Sequence, residues 1–486
     1  MPNMDSETMT RNTPHDQADN CLPDGLTTSG LKSNSQIVEK VPVGDIMAPP
    51  WPLKPPSSAA ITLCMRNMER YGHPCPILVD DDRTVIEGLE FVAAAHKLGW
   101  THINVVRVSG LSGIEARALA LTLAKLPELS DWDEDALRMV IEDVISFDSD
   151  ILDLTGFSMG EIDLILDPQS AEPAENPLDA LPDLSPDGKI VSRAGDVFLL
   201  GDNRILCGDS QKPDAFNQLL DSEKARAVIT DPPYNIQIAN NVSGLGKTKH
   251  DDFAMAVGEM SFDTFSAFLK TMFAQYIGCL LPGGLIYVFM DRRHLEELFA
   301  AARLAGLTIV DLAIWGKMSG GMGGLYRSQY EPCAVFKSGN HPHLNNVQLG
   351  KYGRYRTNVW QHRGLSSFGK GRAEALAAHP TVKPVNLLAE IVKDCTRRGD
   401  IIVDPFLGSG STILAAQKTG RRCFGIELEP GYVDIAIKRW EAMTGGQAVH
   451  TDSGLTFAEL RALRHARAQD SLASSAASPV GADHAE

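Results

Sequence analysis

Apolar positions acquire a period only from about Gln36 onward. "IVEKVPVGDI" alternates apolar and polar residues and predicts a strand. "SSAAITLCMRNMERYG" places its apolar residues at helical spacing and closes on Gly72. "PILVDDDRTVIEG" predicts a hairpin turning at Asp80-Asp81-Asp82, "LEFVAAAHKLG" a helix ending at Gly99, and "HINVVRV" a strand. These elements outline a small α+β domain over residues 35–125. Helical patterns in "SGIEARALALTLAKL", "DEDALRMVIEDVI" and "LTGFSMGEIDLILD" lead into a helical extension assigned to 126–168.

The pattern then lapses. "PQSAEPAENPLDALPDLSPDG" is rich in Pro, Ala and acids and predicts a semi-extended linker over 169–188. From about Lys189 to Gly445, helical patterns alternate with short apolar runs, among them "ARAVI", "GLIYVFM", "TIVDLAIW", "DIIVDPF" and "RCFGIEL". That rhythm is the βαβα pattern of a parallel sheet and predicts an α/β, Rossmann-like domain. Residues 446–486 read as a tail containing one helix, "FAELRALRHARAQ". Residues 1–34 are polar and aperiodic and read as a disordered tail.

Charge changes this picture. The net charge of −17 over 486 residues argues against a nucleic-acid protein, but the acid is unevenly placed. Asp187–Glu441 carries 30 Lys+Arg against 26 Asp+Glu. Within Lys317–Arg372 nine Lys/Arg accompany a single acid, Glu331, with Tyr326, Tyr330, Phe336, Tyr352, Tyr355, Trp360 and Phe368 interleaved. A basic, aromatic insert of this kind is a nucleic-acid surface or a solvated loop region. Arg327, Lys351, Arg354 and Arg356 are its candidate DNA contacts. The eight cysteines form no C-x-x-C pair, which predicts neither structural zinc nor a disulfide framework and fits a cytoplasmic location. No stretch is long and apolar enough to predict a membrane span.

Two stretches carry candidate chemistry. In "ITDPPYNIQ" an apolar run ends at Asp231, and two prolines forbid the chain to continue a sheet ladder. An acid, a rigid carbonyl and an aromatic ring are thus presented at a strand's carboxyl end, where ligands bind in open α/β sheets. A strand exit capped by an aspartate would have the same local sequence. In "IIVDPFLGSGSTILAAQKTGRRCFGIELEPGYVDIA" a strand leads through the turn Gly408-Ser409-Gly410 into a helix, and the next strand ends at Glu427. Glu427 is placed to accept the hydroxyls of a ribose. The phosphate-loop Lys-Ser/Thr pair is missing and Asp404 would repel phosphate, so the turn suits a nucleoside with a neutral or cationic tail.

Together these motifs resemble the S-adenosylmethionine-dependent amino-methyltransferases of DNA. D-P-F-L-G-S-G-S-T with "FGIELEPGYVDIAIKR" resembles their cofactor motif and D-P-P-Y their catalytic motif. "HPTVKP" (379–384) is similar to the segment packing over the methionine moiety, and "LCGDS" (206–210) to the acidic strand end near the adenine. The catalytic motif precedes the cofactor motif, the circularly permuted order of the beta group. The resemblance implies that Asp231 and Pro232 accept the N–H bonds of an exocyclic amine, Pro233 stiffens the turn and Tyr234 stacks on the base. Such stacking is worth ~1–3 kcal/mol. It implies S-adenosylmethionine as cofactor, held by Asp209, Asp404, Phe406, Gly408, Ser409, Gly410, Thr412 and Glu427, with Lys383 beside them. It implies duplex DNA as substrate, with the target base flipped out, and no metal. Adenine N6 is the expected target because Asp, not Ser, precedes Pro-Pro. Cytosine N4 shares the chemistry, and an idle DNA-binding or partition-like protein is the reading from another class. A homodimer and a cognate restriction enzyme are further partners that the resemblance leaves open.

"PILVDDDRTVIEGLEFVAAAHKLGWTHINVVRV" resembles the ParB/sulfiredoxin-like domain found ahead of such enzymes. Gly88-Leu89-Glu90-Phe91 lacks that family's polar and arginine positions, so no nucleotide or nuclease chemistry is expected of this module.

Overall fold

The computed structural model describes residues 38–166, 176–179, 190–235, 260–317, 326–347, 356–362 and 382–476. The chain divides into two compact units, the first reaching Asp131 and the second beginning at Trp132.

The first unit is the expected small α+β fold. Strands β1 (Val38–Pro42), β2 (Ile77–Val79), β3 (Val85–Glu87) and β4 (His102–Arg107) form one sheet in the order β1-β4-β2-β3. Only the β2–β4 pair is parallel. Helix Ser58–Tyr71 starts where the Ser57 hydroxyl accepts the Ala60 N–H at 3.0 Å. Helix Leu89–Leu98 ends on the left-handed Gly99. Their apolar faces join Val41, Ile77, Val79, Ile103 and Val105 in the core.

The second unit is built on a ten-stranded sheet. Its strands are β5 (Val197–Leu200), β6 (Asn203–Cys207), β7 (Ala225–Thr230), β8 (Leu280–Phe289), β9 (Thr308–Gly316), β10 (Tyr330–Lys337), β11 (Val359–Gln361), β12 (Ile401–Asp404), β13 (Arg422–Glu427) and β14 (Val449–His450). They run in the order β11-β9-β10-β8-β7-β12-β13-β6-β5-β14. The central five, β8-β7-β12-β13-β6, are parallel, while β10 runs antiparallel to both β8 and β9. Buried apolar clusters line both faces, one including Ile229, Leu387 and Ile413, the other Val228, Phe273 and Phe336. This is why the strands read as continuous apolar runs rather than alternating ones.

Three boundaries differ from the sequence expectation. Helices Glu134–Phe147 and Met159–Leu166, expected as a separate helical extension over 126–168, belong to the second unit. Asp163 takes two hydrogen bonds of 2.8 Å from Arg421, with both side chains fully buried. Of the linker, 176–179 are described and packed: Asp179 accepts the Val385 N–H (2.8 Å) at the start of helix Val385–Cys395. The remaining linker residues lie outside the described residues, as do the N-terminal tail 1–34, residues 35–37 of the first domain and 477–486 of the C-terminal tail. The C-terminal tail is also shorter than expected, because β14 extends the sheet and Phe457 and Leu460 enter its core. Arg464 of helix Phe457–Ala476 is fastened to Asp196 (2.9 Å).

The basic insert is corrected as well. Within 317–372, β10 is an interior strand whose Cys333, Ala334 and Phe336 are fully buried, and Trp360 of β11 is buried too. Phe336 and Trp360 are therefore core residues, and much of the described insert is sheet.

Candidate active site

The parallel strands β7, β12, β13 and β6 are neighbours, so their carboxyl ends lie along one edge. Each delivers an acid there: Asp231 just past β7, Asp404 closing β12, Glu427 closing β13 and Asp209 just past β6. One cavity is lined by these four acids together with Pro232, Pro233, Tyr234, Phe406, Gly408, Ser409, Thr412 and Lys383. The sheet thus brings together two motifs more than 170 positions apart, because β7 and β12 pair directly (Ile402 with Ala227, Val403 with Val228).

The glycine turn is tightly specified. Gly408 has φ +54, and its N–H donates to Glu427 Oε2 at 2.7 Å. The Glu429 N–H donates to Glu427 Oε1 at 2.8 Å. Thr412 Oγ1 donates to Asp404 Oδ2 at 2.6 Å, and the Phe406 N–H to Asp404 Oδ1 at 3.2 Å. Burial raises both acids to about 7, against the pull of these donors. Two carboxylates kept in an apolar cavity, beside a glycine that lets a ligand approach the backbone, fit a nucleoside with a cationic tail better than a phosphate.

Gly410 is a correction. It has φ +84, and a Cβ there would lie 2.7 Å from the Ala436 Cβ, so it serves packing between helices Ser411–Lys418 and Pro430–Thr444. It is not among the residues lining the cavity. The turn is held from behind by Arg439, which the sequence did not single out. Its guanidinium donates to the Ser409 carbonyl (2.7 Å), the Ser409 hydroxyl (3.0 Å) and the Ser411 hydroxyl (3.1 Å).

At the other end of the cavity the D-P-P-Y turn meets two further charged residues. The Tyr234 hydroxyl makes a short contact to Asp231 Oδ1 and lies 2.8 Å from Glu331 Oε1. Lys383 Nζ makes a short contact to Asp231 Oδ2 and lies 2.8 Å from the same Glu331 Oε1. Lys317 Nζ holds Glu331 Oε2 at 3.0 Å. Burial, reinforced by the Glu331 charge, raises Asp231 despite Lys383. Burial would raise Glu331 too, but the Lys383 and Lys317 ammoniums outweigh it and hold Glu331 at about 2. Desolvation opposes charge on Lys383, yet its two carboxylate neighbours keep it well above the ordinary lysine range. Lys383, expected beside the cofactor, lines the shared cavity and is paired with Asp231 of the D-P-P-Y turn.

Glu331 was not among the expected site residues. Because β10 is antiparallel, its amino end reaches the edge where the parallel strands finish. The signal in the sequence was its isolation as the one acid in a basic stretch.

Of the candidate DNA contacts, Arg327 is exposed next to the exposed Tyr326. Arg356 is half-buried and binds Asp394 (2.8 Å) and Glu390 (3.0 Å) on helix Val385–Cys395, which commits it to packing rather than to a groove. Lys351 and Arg354 lie outside the described residues. No helix among the described residues is long and apolar enough to cross a membrane.

Residues 225–438 match a family described as DNA methylase, of the N6/N4 type. The Type II methyltransferase M.ScaI of Streptomyces caespitosus is 37% identical over 103 residues, 21% of this chain and 34% of its own. The Type II methyltransferase M.HpaI of Haemophilus parainfluenzae is 24% identical over 266 residues, 50% of this chain and 76% of its own. The chain thus spans about a third of the first relative and about three quarters of the second. The crystal structure of the M1.HpyAVI–SAM complex is 23% identical, covers 48% of this chain and 97% of its own, and has a TM-score of 0.37.

Proposed function

We infer that residues 225–438, a DNA methylase segment of the N6/N4 type, make this chain a DNA amino-methyltransferase, and that it methylates N6 of adenine with S-adenosylmethionine. The observation carrying this reading is that Asp231 and Tyr234 share one cavity with Glu427 and the glycine turn. Bound there, S-adenosylmethionine supplies a sulfonium methyl: a nitrogen–carbon bond forms as the sulfur–carbon bond breaks, and one amine proton leaves.

The residues act by placement. An exocyclic amine is a weak nucleophile because its lone pair is delocalised into the ring. Asp231 and the Pro232 carbonyl accept its two N–H bonds and aim the lone pair into the cavity. Asp231 is raised by burial and can take the departing proton. Tyr234 stacks on a base flipped out of the duplex, which recovers part of an unstacking cost of a few kcal/mol, about that order. Glu427 takes the ribose hydroxyls, and Asp404 faces the same chamber through the Thr412 hydroxyl. Arg327, beside Tyr326, is the DNA contact that the described insert supports. The Type II relatives favour a role in restriction-modification.

The test is nucleoside mass spectrometry of unmethylated genomic DNA after incubation with protein and S-adenosylmethionine. N6-methyladenine is expected with the native protein and not with Asp231→Ala. N4-methylcytosine would keep the site chemistry and replace the base. Neither product, despite cofactor binding, would return the chain to a DNA-binding role.

A further inference from the structure

We propose that Glu331 is a positioning residue that receives the Tyr234 hydroxyl and the Lys383 ammonium when the target amine displaces them from Asp231. The inference rests on the methyltransferase reading of this site and extends it to a residue outside both sequence motifs.

Asp231 Oδ1 is in contact with the Tyr234 hydroxyl and Oδ2 with Lys383. An arriving amine competes for one of those oxygens with the donor already on it, and in the proposed exchange it displaces that donor. A buried ammonium or phenol released without an acceptor would bear its desolvation cost uncompensated. Both donors, however, already lie 2.8 Å from Glu331 Oε1. Lys383 can leave Asp231 while keeping its bond to Glu331, and the single Tyr234 hydroxyl proton can turn from Asp231 to Glu331. The other Glu331 oxygen is fixed by Lys317 at 3.0 Å, so the receiving carboxylate stays in place during the exchange.

Charge makes the same point. Asp231 and Glu331 are balanced by Lys383 and Lys317, and Tyr234 is neutral. The exchange moves hydrogen bonds within a neutral cluster and exposes no unpaired charge. The Tyr234 hydroxyl retained by Glu331 also fixes the ring that stacks on the base. Lys383 sits over the Phe289 ring (5.0 Å to its centroid), which confines its ammonium to the space between the two carboxylates.

A single-turnover double-mutant cycle tests this. Glu331→Gln leaves a net positive cluster and a lysine whose only carboxylate is Asp231, and methyl transfer should slow by about tenfold or more. Lys383→Met leaves a net negative cluster. The double variant is neutral again and has no ammonium to relocate, so it should recover at least part of the rate lost in Glu331→Gln. Cofactor affinity, measured by calorimetry, should stay unchanged throughout, and Glu331→Asp should keep more activity than Glu331→Gln. Losses that simply multiply in the double variant, or that follow loss of cofactor binding or of the fold, would make Glu331 a structural residue and overturn the proposal. A native protein that methylates no base would overturn the site reading itself, and the inference with it.

Discussion

Cofactor affinity should depend on pH through Glu427. Its carboxyl is raised from 4.5 to about 7 by burial, against the pull of the Glu429 and Gly408 N–H groups. Only the anion can accept both hydroxyls of a ribose, so the cofactor binds the ionised form. With a midpoint near 7, about a tenth of the sites are ionised at pH 6 and about nine tenths at pH 8. Affinity should therefore rise about tenfold over that interval, or about 1.4 kcal/mol. If Asp404, raised to about 7 by burial, must also ionise, the rise approaches about a hundredfold. The sign for stability is opposite. A folded-state value above the unfolded one means stability present below about pH 4 and lost as pH rises through 7, so the cofactor-free protein should melt earlier at pH 8 than at pH 6 on account of these groups. The assay is calorimetric titration with S-adenosylmethionine at pH 6, 7 and 8, for native protein and Glu427→Gln. The cofactor's own amino group titrates near 8, and the comparison between the two proteins removes that contribution. A native affinity curve parallel to that of Glu427→Gln would refute the assignment of Glu427 to the ribose.

Other outcomes follow from the same geometry. Gly410→Ala forces a left-handed alanine, costing ~1–2 kcal/mol, and a contact of 2.7 Å with Ala436 adds ~1–3 kcal/mol; urea denaturation should show the sum, with cofactor affinity intact in the folded protein. Asp163→Asn leaves Arg421 fully buried without its counter-ion and should lower stability by about 3–5 kcal/mol in the same assay. Asp231→Asn should slow methyl transfer by about a hundredfold or more while leaving calorimetric cofactor binding in place.

The parts of the site that could be read from the sequence were those written into local backbone chemistry. Two prolines after an apolar run can only leave a sheet, and a glycine pair before a helix can only make a close turn. Gly410 shows the limit of that reasoning. Its glycine was recognised, but its reason, the Ala436 backbone, lies on another helix. Glu331 and Lys383 reach Asp231 from positions 100 and 152 residues away, Glu331 on an antiparallel strand whose direction no local pattern announces and Lys383 just ahead of helix Val385–Cys395. Arg356 looked like a groove reader because the insert is basic. Its partners, Glu390 and Asp394, lie on a helix beyond the insert. The tail misled for a similar reason, since two residues of β14 suffice to extend a sheet yet are too short to show a period.

The central claim is that one cavity joins the D-P-P-Y turn to the glycine turn for methyl transfer to DNA. S-adenosylmethionine labelled in its methyl group, incubated with duplex DNA and the native, Asp231→Asn and Glu427→Gln proteins, tests it directly. The account predicts label in the recovered DNA with the native protein, almost none with Asp231→Asn although that variant still binds cofactor, and a loss with Glu427→Gln that saturating cofactor partly restores. Undiminished labelling by Asp231→Asn, or no label in DNA from a native protein that binds the cofactor, would contradict it.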